Sequence, residues 1–101
     1  MSRSLIERRL REVTGRLQRA RAELVAVDEQ LAFFADAAEE ARIRALVSET
    51  PLADREHAEA QKHADAMIRS RAAVAASIAE LETAVDDLLG RLEPQPERGW
   101  R

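Results

Sequence analysis

Few residues in this chain could do chemistry, and their spacing decides what each could do. Two histidines, His57 and His63, stand six apart, which is not one face of a helix. Glu59 and His63 are four apart and do share a face. Two such pairs brought together in a dimer would offer four metal ligands. Carboxylate-bridged metal bundles, however, carry Glu-x-x-His motifs, and neither histidine has Glu three positions before it. The expectation is therefore ordinary histidines and no metal or other cofactor. The chain has no cysteine, which removes disulfides and thiolate ligands. It has no Gly-rich phosphate loop and no Ser/His/Asp set held by a framework, so no enzymatic activity and no small-molecule substrate are expected.

Charge is the next candidate. Residues 1–21 hold seven Arg and two Glu, whereas residues 22–65 hold four basic and eleven acidic residues. Arg3, Arg8, Arg9, Arg11 and Arg19 could track phosphates. No aromatics interleave them to stack bases, and the net charge of −3 argues against nucleic acid as the main partner. Neutralisation by Glu80, Glu82, Asp86 and Asp87 is the simpler role. Nucleic-acid association through the Arg-rich stretch stays as one alternative. Trp100 is the only Trp and could be a docking anchor or part of a flexible end.

The elements that must position these residues follow from composition and period. The chain has 101 residues, 46% hydrophobic but only 3% aromatic, and twenty residues are alanine. So little bulk points to thin, closely approaching helices rather than a pocket-bearing fold. Only three Gly and three Pro allow few turns. No apolar run of about 18 residues exists to span a membrane. The opening MSRSLIERRLREV is charged throughout, without the apolar stretch of a secretory leader, so a cytoplasmic location is expected.

Steps of four and three residues from Ile6 give Ile6, Leu10, Val13, Leu17, Ala20, Leu24, Val27, Leu31, Phe34, Ala38, Ala41 and Ala45. All are apolar, which is the coiled-coil signature. A second seam runs Ala53, His57, Ala60, Ala64, Met67, Arg71, Val74, Ile78, Leu81, Val85, Leu88 and Leu92, with His57 and Arg71 as its polar members. Ser4 and Glu7 fit a capping box for the first helix. Thr50-Pro51 fits the start of a second. Pro94 and Pro96 follow the second seam and stop it. The spacing predicts an all-α fold, a long antiparallel two-helix hairpin over residues 4–92. Helix 1 spans about 4–47, the turn about 48–51, and helix 2 about 51–92. Residues 1–3 are expected to be a flexible N-terminus and 93–101 a disordered tail.

In such a hairpin residue i lies roughly level with residue 100 − i. Arg71 then meets Asp28, an ion pair able to fix register. Leu, Val and Ile layers fill the end that holds the termini, and alanine layers fill the tip. The tip itself reads as acidic, with Glu49, Asp54 and Glu56 as partner contacts. Coiled-coil hairpins that enter the RNA polymerase secondary channel share this general shape, though no residue motif of theirs. A transcription-level regulator binding RNA polymerase or a sigma factor through the acidic half of the hairpin is thus the first alternative, ahead of nucleic-acid association. Ala22, Val25, Ala26, Ala32, Phe33, Ile68, Ala72 and Ala76 lie off the seams at one height and form an apolar belt. An exposed apolar patch marks an interface. The leading expectation is a non-enzymatic protein-interaction module that pairs with itself, two hairpins making a four-helix bundle, or meets another protein on the same belt.

Overall fold

The computed structural model describes residues 2–93 and contains two helices, α1 (Arg3–Ser48) and α2 (Pro51–Leu92), folded back on each other. At 1.5 Å per residue α1 is about 69 Å long. The readings made for residue 1 and for residues 94–101, Trp100 among them, fall outside the described residues.

The start of α1 differs from the expected capping box. Ser2 is the cap: its hydroxyl accepts a hydrogen bond from the Leu5 N–H at 3.2 Å, and its carbonyl accepts from Ile6 N–H. Ser4 is already inside the helix. Glu7 lies toward Arg3, 3.9 Å away one turn earlier, instead of reaching back to a cap. Both Ser2 and Ser4 have the right chemistry, and the earlier one gains two more helical residues.

The turn is two residues long. Thr50 Oγ1 accepts from Ala53 N–H at 3.1 Å, and Pro51 occupies the first turn of α2, where no N–H is needed. Glu49 closes α1 with φ 51°, its N–H donating to the Ala45 carbonyl. This left-handed position favours glycine, because a Cβ there crowds the backbone. Glu49→Gly should therefore stabilise the hairpin by about 1 kcal/mol, raising Tm by about 4–8 °C. Thermal melting followed by circular dichroism checks this, and a lower Tm would contradict it.

The core is the double seam. All twelve α1 seam residues are buried or half-buried, and so are eleven of the twelve in α2, Arg71 being the exception. At the terminal end Ile6, Val13 and Leu88 form a cluster, with Leu10, Leu81, Ala84, Val85 and Leu92 packed around it. Toward the tip the buried residues are Ala38, Ala41, Ala45 and Ala64. Burial stabilises by about 25 cal/mol per Å², so a methyl contributes far less than a Leu side chain. The helices are held mainly at their base.

Antiparallel pairing puts the heptad e positions together along one edge and the g positions along the other, with Leu10 and Leu17 at a. Cross-helix contacts follow this. On the e edge Arg21 donates to Glu82 Oε2 at 3.0 Å. On the g edge Arg9, Ala84 and Arg91 line one shallow groove.

Candidate functional site

Helical phase determines where each candidate residue points. Arg71 and Asp28 are brought together: the Arg71 guanidinium donates from Nε to Asp28 Oδ1 on the e edge. Both side chains are close to half exposed. A pair with that much solvent contributes under about 1 kcal/mol, so its effect is on register more than on stability. Of the acids expected to neutralise the basic stretch, only Glu82 forms an ion pair with it among the described residues. Arg8, Arg11 and Arg19 are exposed on the outward side of α1.

His57 is half-buried in the seam and His63 is exposed. The His63 ring stacks on Phe34, centroids 5.4 Å apart and planes 20° from parallel. Phe33 meets the Phe34 edge at 5.3 Å. Among the described residues no group of three or more His, Asp or Glu could hold a metal ion. None of the described helices is long and apolar enough to cross a membrane.

The eight belt residues are all exposed. They share a height but not a side. Ala22, Val25, Ala26, Ala32 and Phe33 occupy positions f, b and c of α1, its outward face. Ile68 is at an e position of α2, and Ala72 and Ala76 are on its back. Val25 leans toward the e edge and Phe33 toward the g edge. Ile68 therefore shares the e edge with Val25, whereas Ala72 and Ala76 face away from the α1 group.

At the tip, Glu49, Asp54 and Glu56 are exposed and make no ion pair with the described residues. Glu39 and Arg42 form a two-bonded fork, Nε to Oε2 at 3.0 Å and Nη2 to Oε1 at 2.7 Å. The Arg42 hydrogen bond lowers the Glu39 carboxyl below its ordinary range, and Glu39 in turn raises Arg42.

Acidity is only half of the tip's character. Leu46 is 65% exposed, Val47 80% and Leu52 62%, and Ile43 lies beside them. Phe33, at 68%, stands two to three turns further down the rod. Leu52 also joins Ala37, Ala41 and Ala60 in an open groove rimmed by Arg44, Arg55, Glu56 and Glu59. A charge count of the tip misses these residues, but their b, c and f phase reveals them. Beyond Phe34 and Met67 the tip is thus packed inside out: alanine and His57 face inward while Ile43, Leu46, Val47 and Leu52 face water. In the base half Ile6, Val13, Leu17 and Leu88 are buried, and the exposed large residues are Leu5 and Leu89 near the ends.

No known protein family, curated protein or solved structure matches the chain. Function must be read from the surface. That surface offers open grooves, a mixed array of charges and a large area of outward apolar side chain. Such features suit contact with another macromolecular surface rather than enclosure of a small molecule.

Proposed function

We propose that the protein is a non-enzymatic protein-interaction module that pairs with itself and presents its tip to a further protein. The inside-out packing of the tip carries this reading. Ile43, Leu46, Val47 and Leu52 cluster at the tip and expose several hundred Å², comparable with the biggest patch on an ordinary monomer, and Phe33 is a separate exposed ring further down. Exposed apolar area of this size is stabilised when another surface removes it from water. The alanine-lined interior beneath it gains little by itself, so covering the outside also stiffens the tip. The base half serves as the clamp that keeps the two helices in register.

The first partner is a second copy, in a two-fold assembly that sets four helices side by side. Light scattering over a concentration series tests it. The expected mass is twice the 11.3 kDa of the chain at tens of micromolar. A mass of one chain throughout that range would remove self-pairing from the account.

A further inference from the structure

The outward seam of α1 has a charge pattern that complements its own reverse. The c and f positions, three and four residues apart, read Leu5, Arg8, Glu12, Gly15, Arg19, Ala22, Ala26, Glu29, Phe33, Asp36, Glu40, Ile43 and Val47. All but Gly15 are exposed. Arg8, Arg19, Glu29 and Glu40 have no ion-pair partner among the described residues. Both basic residues of this seam, Arg8 and Arg19, lie in its first half, where Glu12 is the one acid; the second half holds only acids, Glu29, Asp36 and Glu40.

We propose that two copies pair through this seam, α1 against α1 in antiparallel orientation, with the two-fold axis beside Ala22, Val25 and Ala26. The proposal rests on the self-pairing read above and assigns its surface and register. In an antiparallel seam each c position meets an f position of the other helix. In this register Ile43 of one copy meets Leu5 of the other, Glu40 meets Arg8, Phe33 meets Gly15, Glu29 meets Arg19, and Ala26 meets Ala22. Two-fold symmetry makes each of these contacts twice. Val25, on the flank, meets its own symmetry mate. The one like-charge pair, Glu12 with Asp36, has Arg11 beside it. A slip of one heptad destroys the match. In one direction Leu5 meets Asp36 and Glu12 meets Glu29; in the other Arg8 meets Val47 and Glu12 meets Ile43.

Gly15 is an independent sign. A glycine inside a helix costs about 1 kcal/mol relative to alanine. Nothing in the hairpin requires it, since a Cβ there would meet only the Arg19 guanidinium, at 3.5 Å. In the proposed register the missing side chain leaves room for Phe33, the largest exposed apolar residue of the helix. Ile68, Ala72 and Ala76 on α2 stay outside this contact, as do Leu46, Val47 and Leu52, which keeps the tip free for a different protein.

Two measurements test the register. The first is light scattering on charge variants of the full chain. Arg8→Glu with Arg19→Glu should give the mass of one chain at concentrations where the wild type gives two. Glu29→Arg with Glu40→Arg should do the same. Combining all four substitutions should restore the double mass. The second measurement uses the absence of cysteine. Leu5→Cys and Ile43→Cys lie roughly 57 Å apart along one helix and cannot join within a chain. The double variant should form a reducible dimer under mild oxidation, whereas a control with Leu5→Cys and Leu89→Cys should form far less. Circular dichroism on each variant confirms that the helices persist. A wild-type dimer that keeps its mass in both charge-reversed variants and yields no 5-to-43 cross-link overturns this register while leaving self-pairing intact. A wild type that is never dimeric overturns both.

Discussion

Leu88→Asp is expected to unfold the hairpin. Leu88 is buried against Ile6 and Val13 at the base, where the largest apolar residues of the interior gather. Losing the side chain from this cluster costs about 2–5 kcal/mol. A carboxylate in its place adds a desolvation cost of several kcal/mol, which Arg9 and Arg91 in the adjoining open groove offset only in part. A small domain has a total stability of about 5–15 kcal/mol, and a two-helix rod with an alanine interior at one end belongs at the low end. Far-UV circular dichroism should show most helicity lost at room temperature. Leu88→Met, which keeps volume and apolarity, should cost under about 1.5 kcal/mol and keep a cooperative melt. Native helicity and an unchanged Tm for Leu88→Asp would show that the base cluster does not hold the helices together.

Phe33→Glu should act in the opposite way, abolishing association while leaving the helices folded. Phe33 is outward, touching the Phe34 edge but taking no part in the buried seam. Its replacement removes little from the hairpin's own packing. In the self-paired state the same ring is covered. An aromatic anchor of this kind contributes about 2 kcal/mol or more to an interface, and the two-fold removes it twice; the new carboxylate also competes with Glu29 for Arg19, whose guanidinium lies beside Gly15. The dimer should weaken by at least roughly 100-fold, which light scattering reads as one chain mass at tens of micromolar. Unchanged mass together with unchanged melting would place Phe33 outside the interface.

The fold was readable because a 3.5-residue apolar period has one simple solution. The spacing from Ile6 to Ala45 and from Ala53 to Leu92 gave both buried faces, and Thr50-Pro51 marked the turn. The cap at Ser2 was harder to see, because Ser4 with Glu7 makes an equally good local pattern and only the length of the helix separates them. The surface was read less fully. Height alone groups Val25, Phe33 and Ile68, whereas phase leaves Val25 and Ile68 on the e edge and turns Phe33 toward the g edge. Counting Glu49, Asp54 and Glu56 made the tip look acidic and hid Ile43, Leu46, Val47 and Leu52. Those four residues carry no periodic signal of their own, since three sit in the last turn and a half of α1 and one opens α2. Their exposure becomes visible only once the inward face is assigned to alanine.

On the proposed function the base holds the hairpin together, while the outward apolar residues of the tip half depend on being covered. Amide hydrogen exchange, read by mass spectrometry at high protein concentration and again after dilution below dimer dissociation, tests it most directly. Residues 5–17 and 81–92 should remain the more protected at both concentrations. Residues 29–43, covered in the dimer, should be protected at high concentration and exchange at least tenfold faster after dilution, whereas residues 46–67, which the dimer leaves free, should exchange fast at both concentrations. Equal protection along both helices, unaltered by dilution, would mean that the alanine-packed tip is stable by itself, and would contradict the account.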